Sequence, residues 1–263
     1  MDHTYWHKQS ADKPLYSDLI WSRPENKRQA GKLLIIGGNL YGFAAPAEAF
    51  TVAEQAGVGM VRVLLPQALK KTVGKVLDAS EFAANTPSGS FAQSALSEFL
   101  DQANWADGTL IAGDLGRNSE TAIIIEKFLS KHAGHVTLTK DAVDYLTSNP
   151  APLINRGNVT LVLSLSQLQR LVKALKYPQP ITYTMPLLRL VDLLADFSQS
   201  YPINIMTKHY DQIMVAVGGQ ISTTPDVRDN WQVKTAASSA VWWLQNPTKP
   251  FQALTTAIYN DSM

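Results

Sequence analysis

The chain has 263 residues, 45% of them hydrophobic, with six Trp, 23 Lys and Arg against 22 Asp and Glu, and no Cys. That length suits one large α/β domain or two small ones, at roughly 150 residues per domain. Scattered cations and a net charge of +1 exclude the electrostatic footprint of a nucleic-acid binder. The lack of Cys excludes disulfides, thiol nucleophiles and thiolate metal sites.

The opening segment MDHTYWHKQSADKP is polar and lacks the apolar stretch of a signal peptide. No window approaches the ~20 apolar residues of a spanning helix. A cytoplasmic protein without a membrane partner is expected. Residues 1–30 carry Pro14, Pro24 and the aromatics Tyr5, Trp6 and Tyr16. They read as an arm or short helical lead-in that packs onto the domain or a partner subunit.

From Gly31 to Pro66 the pattern is strand, glycine turn, helix, glycine turn, strand. Leu33-Leu34-Ile35-Ile36 is a short apolar run of the kind buried on both faces. Gly37-Gly38-Asn39 ends it, and Phe50, Ala53 and Ala56 recur at near-helical spacing until Gly57 and Gly59. Met60 to Leu65 supplies a second strand, parallel to the first by a right-handed crossover. The first turn of such a unit is where small anionic or polar ligands dock.

Residues 77–108 contain the loop NTPSGS and then an amphipathic helix around Phe91 to Leu100. Thr109 to Ala112 is a third buried strand, ending in Gly113-Asp114-Leu115-Gly116. Asn118 or Ser119 can cap the next helix, whose Ile123, Ile124, Ile125 and Phe128 are expected on the sheet. Further strands are expected at His135–Thr139, Val159–Leu163, Ile203–Met206 and Gln212–Val217, the last followed by a hairpin return at Gly218-Gly219. Helices are expected from Asp141, from Ser164 or Ser166, and over Pro186–Phe197, Lys234–Gln245 and Pro250–Tyr259. No linker marks a boundary, so residues 31–263 are read as a single α/β domain with a mostly parallel sheet.

The order of these segments resembles the carbohydrate-kinase-like domain of the nucleotide-dependent NAD(P)H-hydrate dehydratases, in the ribokinase-like superfamily. The strand–Gly-Gly–helix–Ala-Gly-Val-Gly–strand unit at Gly31–Pro66 carries the resemblance, and Ala112-Gly113-Asp114-Leu115-Gly116-Arg117-Asn118-Ser119-Glu120 extends it. It implies a ribokinase-like fold and a site at the sheet edge that takes ADP or ATP with Mg, together with an NAD(P)H-type ligand. The chemistry implied is phosphorylation and elimination of the hydrate hydroxyl. Ligand contacts would come from Gly37, Gly38, Asn39, Gly113, Asp114, Gly116 and Asn118. A homo-oligomer is also implied.

The chain departs from the family where the chemistry is done. The family's Asp-Ala-Asp-Ala-Leu aligns with Thr139-Lys140-Asp141-Ala142-Val143, which leaves Asp141 as site carboxylate or as helix N-cap. Asp114 stands where the family has glycine, and serves a metal, a turn or a helix cap there. Thr-Pro-His-Pro-Gly-Glu has become Val162-Leu163-Ser164-Leu165-Ser166-Gln167. The late Lys-Gly falls near Thr207-Lys208, so Lys208 is the nucleotide-side candidate.

The family's Gly-Thr-Gly-Asp opens the penultimate helix, holds phosphoryl charge on backbone N–H groups, and supplies the base. The aligned residues are Trp231-Gln232-Val233-Lys234. Side chains of Trp231 and Val233 occupy the room a phosphate needs, and an ammonium at Lys234 replaces the carboxylate base. Trp231 or its neighbours are therefore expected to plug part of the cleft. Lys234 remains as an anion contact, and Asp226 or Asp229 as substitutes for the base. His132 with His135, and His3 with His7, are too weakly placed for metal ligation, and no metal site is expected. Three readings stay open: an active dehydratase or kinase with a rearranged site, a non-catalytic ligand-binding relative, and a structural protein that keeps only the fold.

Overall fold

The structure is a computed structural model and describes residues 3–10, 12–73, 77–154 and 156–261. The chain opens with β1 (Trp6–Lys8) and α1 (Ser17–Trp21), then β2 (Lys32–Gly37), α2 (Ala44–Gln55) and β3 (Met60–Pro66). There follow α3 (Lys70–Val73), β4 (Ser80–Ala83), α4 (Leu96–Trp105), β5 (Gly108–Gly113) and α5 (Ser119–Lys131). Next come β6 (His135–Thr139), α6 (Asp141–Ser148), α7 (Ala151–Ile154), β7 (Val159–Leu163), α8 (Leu165–Ala174) and α9 (Leu187–Ser200). The chain closes with β8 (Ile203–His209), β9 (Gln212–Val217), β10 (Gln220–Pro225), α10 (Gln232–Gln245) and α11 (Pro250–Asp261).

All these strands join one sheet in the order β1-β10-β9-β8-β7-β6-β5-β2-β3-β4. Neighbours pair in parallel except at β9, which runs antiparallel to both β8 and β10. The central strands are buried on both faces, which is why they read as unbroken apolar runs. Alternate side chains feed two cores. Leu34, Ile36, Ile111, Leu138 and Leu161 pack with Phe99, Phe128, Leu168 and Phe197 from the helices of one face. Leu33, Ile35, Leu110, Ala112 and Val162 pack with Val52, Val241 and Leu254 from α2, α10 and α11 on the other.

The first core is anchored by a ladder of edge-to-face rings, Phe91–Phe99 at 4.9 Å and Phe99–Phe128 at 5.8 Å between centroids. Each of these fully buried rings contributes roughly 1.5–3 kcal/mol by leaving water. Phe91 itself lies before the helix, in a bridge to Asn85, so the helix begins at Leu96 rather than near Phe91. Ile123 is 37% exposed while Ile124, Ile125 and Phe128 are fully buried. At 3.6 residues per turn, position 123 falls off the face shared by those three.

The arm is part of the sheet. β1 pairs with β10 through Trp6↔Ile221, His7↔Ser222 and Lys8↔Thr223. Gln9 is 3% exposed, donating to Thr224 Oγ1 and the Thr255 carbonyl at 3.0 Å while its Oε1 accepts from Leu15 N–H. α1 packs against α10 and α11, with Leu19 in a cluster with Trp242, Ala253 and Ala257.

The chain leaves β2 for β3 and β4 on one side, then returns to β5 on the other. The crevice above β2 and β5 is thus a topological switch point, at the C-terminal ends of the strands. α10 runs against the strand direction. Gln232 meets Gln167 at the C-terminal edge, and Trp243 stacks on His135 at the start of β6, 4.2 Å between centroids.

Candidate functional site

Two turns meet at the switch point. Gly38 N–H donates to the Gly113 carbonyl at 3.0 Å, and a Cβ added at Gly37 would fall 2.6 Å from that same oxygen. Gly113 sits at φ +108°, which glycine alone adopts readily. Gly37 is explained by the close approach of β2 and β5, and Gly113 by its positive φ and by Lys140 and Asp141 packed against it.

Asp114 follows at φ +56°, and its carboxylate accepts from Ala45 N–H at 2.7 Å in the first turn of α2. The orphan N–H groups and positive dipole end of α2 thereby hold a carboxylate from the chain itself. The Asp114 carbonyl accepts from Asn39 Nδ2 at 2.6 Å, and Asn39 Oδ1 accepts from Tyr41 N–H. Asn118 is the N-cap of α5: its Oδ1 accepts from Glu120 and Thr121 N–H, and its Nδ2 donates to Ser88 Oγ at 3.0 Å. Tyr145 donates its hydroxyl hydrogen to the Gly116 carbonyl. The expected ligand residues Gly37, Gly38, Asn39, Gly113, Asp114, Gly116 and Asn118 are therefore brought to the same edge, with the side chains of Asn39, Asp114 and Asn118 all engaged by hydrogen bonds within the chain.

Asp141 is the first residue of α6, and the N-cap is Lys140, at φ +52°. The Asp141 carboxylate turns back to β5 rather than capping its own helix. Oδ2 accepts from Leu115 N–H at 2.8 Å, while Oδ1 is buried without a hydrogen-bond partner. Burial pushes its pKa above the usual carboxylate value, against the pull of the Leu115 and Gly116 N–H groups, and the nearby charges of Asp114 and Asp144 add to the rise. The hydroxyl of Thr139, fully buried two residues earlier, is also unpartnered.

The edge beyond β6 is tied by Gln167. Its Nε2 donates to the Lys140 carbonyl at 2.8 Å and to Asp144 Oδ1 at 2.9 Å. Its Oε1 accepts from Ser164 N–H in a capping box, and from Gln232 Nε2 at 3.2 Å. Sequence reasoning had not given Gln167, Lys140 or Gln232 a role at the site. The Ser-x-x-Gln spacing of a capping box was the available signal for Gln167.

Trp231 is the N-cap of α10 and makes no side-chain capping bond. Trp231 and Val233, 8% and 4% exposed, belong to the second core. What remains beside them is a cleft of about 220 Å³, lined by Glu48, Lys140, Asp229, Asn230, Trp231, Gln232 and Val233. It is smaller than the ~300–1,000 Å³ typical of ligand sites. Two acids line it alongside one ammonium, a poor fit for nucleotide phosphates even with the helix N-terminus at hand. Lys234 lies one residue beyond this lining, half-buried in the first turn of α10.

Lys208 is committed elsewhere. Its Nζ donates to Asp226 Oδ1 at 3.2 Å and to the Arg228 carbonyl at 2.6 Å. The Asp226 side chain has no solvent exposure and takes Arg228 in a fork at Oδ2, with Arg228 N–H on Oδ1 at 2.8 Å. Burial raises the Asp226 pKa, but the Arg228 hydrogen bonds outweigh it and hold the carboxyl below the usual range. Asp229 reaches the cleft; Asp226 does not. His132 stacks on Phe128 and His135 on Trp243, so the two rings serve different contacts. Among the described residues no group of three His, Asp or Glu could hold a metal.

Comparison with family sequence models and with curated proteins matches nothing. Solved structures do match. The fold is that of the ribokinase-like superfamily. The chain superposes on a ribokinase-like superfamily protein from Enterococcus faecalis V583 with a TM-score of 0.71 and 15% identity, over 99% of this chain and 88% of that one. It also matches the ADP/ATP-dependent NAD(P)H-hydrate dehydratase from Bacillus subtilis, co-crystallised with ATP and Mg²⁺, with a TM-score of 0.61 and 13% identity over 94% and 86% of the two chains. A phosphomethylpyrimidine kinase from Clostridium difficile gives 0.52 and 10%, over 86% and 98%. At such identities the likeness is one of fold. No helix among the described residues is long and apolar enough to cross a membrane.

Proposed function

We propose that this chain is a ribokinase-like protein that has lost nucleotide-driven phosphoryl transfer and retains, at most, the binding of a small molecule at the C-terminal edge of its sheet. The observation that carries this reading is the start of α10. Where the fold's relatives are expected to present glycines to a phosphoryl group, Trp231 and Val233 are sunk in the core. The position expected to carry the base is Lys234. The turn above β5 supports the same reading, because the α2 N-terminus and the Leu115 N–H already hold the carboxylates of Asp114 and Asp141. Chemistry needing an open anion-binding turn would have to displace both.

Asp141 keeps the active-enzyme alternative in play. A buried carboxylate with a raised pKa and one unpartnered oxygen has the character of a proton-transfer group. Thermal unfolding with and without ADP, with ATP plus Mg²⁺, and with NADPH separates the two readings. A ligand that binds only the native state at ~100 times its Kd adds ~2.7 kcal/mol of stability. We expect no upward shift from ADP or ATP, and no dehydration of NADPH hydrate. A saturable shift with either nucleotide, or turnover abolished by Asp141→Asn, overturns the proposal.

A further inference from the structure

A second cavity lies away from this edge, between the N-terminal arm, α9 and the β9–β10 turn. It encloses about 690 Å³ and is lined by His3, Tyr5, Asp192, Ala195, Asp196, Gln199 and residues 218–220. That volume is three times that of the α10 cleft and falls within the ~300–1,000 Å³ of small-molecule sites.

One wall is a hydrogen-bonded chain. Tyr5 has a single hydroxyl hydrogen and gives it to Asp192 Oδ1 at 2.6 Å. His3 Nδ1, 3.0 Å from the same hydroxyl, must therefore be the donor in that contact. The imidazole is fixed by this bond and lies 3.6 Å from Asp192. Asp192 keeps its second oxygen for another partner. Asp196 follows one helical turn later on the same face of α9, roughly 6 Å away. The floor is the Gly218-Gly219 turn, both residues at positive φ, where no side chain intrudes.

Among the described residues no Lys or Arg lines the groove. Asp192 and Asp196 give it two carboxylates, and the hydrogen bond to Asp192, burial, and the charges of Asp192 and Asp196 together push the Tyr5 pKa up to about 12. We propose that this groove is a second ligand site, which takes a small organic cation bearing a primary ammonium or guanidinium group. The cation would sit between the free carboxylate oxygens of Asp192 and Asp196, with its carbon chain along Ala195 and the glycine turn. Amide oxygens of Gln199 and Gln220 are available for its remaining N–H groups.

The proposal is independent of the fate of the α10 cleft. Isothermal titration of the full chain with agmatine and with putrescine tests it, with butanediol as the uncharged control and calcium chloride as the inorganic cation. We expect saturable binding of agmatine, none of butanediol, and affinity lowered about tenfold or more by Asp196→Asn. Asp192→Asn should weaken binding further while disturbing the Tyr5 contact. Asp196 is exposed, so its variant retains the fold, which circular dichroism checks. Three outcomes overturn the site: no saturable amine binding, binding undiminished in Asp196→Asn, or calcium binding in place of the amine.

Discussion

Removing the Asp226 carboxylate should cost this protein several kcal/mol of stability, and the size of the loss reports on whether Lys208 is free to meet a ligand. The Asp226 side chain has no solvent exposure, and those of Lys208 and Arg228 are 14% and 26% exposed. Asp226→Ala would leave one ammonium and one guanidinium largely out of water and without their shared counter-ion. Breaking a buried pair from one side costs about 3–5 kcal/mol, because an uncompensated charge remains. For 263 residues the unfolding entropy scales to about 2 °C per kcal/mol, so the melting temperature should fall by roughly 6–10 °C.

The acid limb gives a second reading of the same contact. Because the folded carboxyl titrates below its unfolded value of 3.8, its contribution is complete above that pH and is lost as pH falls through the folded pKa. The stability difference between wild type and Asp226→Ala should therefore shrink below about pH 4 and be flat above it. Urea unfolding from pH 3 to pH 8, with the Lys208→Ala single and double variants completing a cycle, measures both quantities. A loss under about 1 kcal/mol, or no coupling between Asp226 and Lys208, would refute this account. Lys208 would then again be a candidate phosphate contact.

Asp141→Asn should leave stability at neutral pH unchanged or raise it by about 1 kcal/mol, since the amide oxygen still accepts from Leu115 N–H and no ionised group stays buried. Because burial raises the Asp141 pKa above 3.8, wild type loses stability as pH climbs through the folded value; the variant should lack that decline in urea titrations. Asp114→Ala should cost ~1 kcal/mol by uncapping α2, and Asp114→Gly less, because glycine accepts φ +56° freely; melting curves of the two variants decide this. Gln9→Ala should cost about 1–3 kcal/mol by removing the buried bonds to Thr224 Oγ1 and the Thr255 carbonyl together with the bond from Leu15 N–H, with faster amide exchange confined to β1 and β10.

The sequence carried the inner strands almost to the residue, because a strand covered on both faces must be apolar throughout. His135–Thr139, Val159–Leu163 and Gln212–Val217 appear as read. β1 and β4 were not legible. Each is three or four residues long, at an end of the strand order, and WHK and SEFA carry neither an apolar run nor a clean alternation. The convergence of Gly37, Gly113 and Asp141 was legible through the resemblance. The partner of the Asp141 carboxylate was not, because Leu115 N–H belongs to a turn 26 residues earlier in the chain. Pattern reasoning sees a helix start and offers a cap; only the packing of α6 beside β5 aims the side chain backward.

Glycine at Gly37, Gly38 and Gly113 speaks for local packing and backbone conformation rather than for an anion, since the β2–β5 contact accounts for the first and positive φ with close neighbouring side chains for the other two. The distinction turns on what occupies the N–H groups that such a turn exposes. At α2 the occupant is Asp114, and at Leu115 it is Asp141. Both carboxylates come from the chain, and both are present at full effective concentration. A phosphate arriving from solution would have to displace two carboxylates that those N–H groups already hold. On the reading proposed above, Trp231 and Val233 at the start of α10 and the internal occupation of the turn above β5 act in the same direction. The first would leave little room for a phosphoryl group, and the second would occupy the donors needed to hold it.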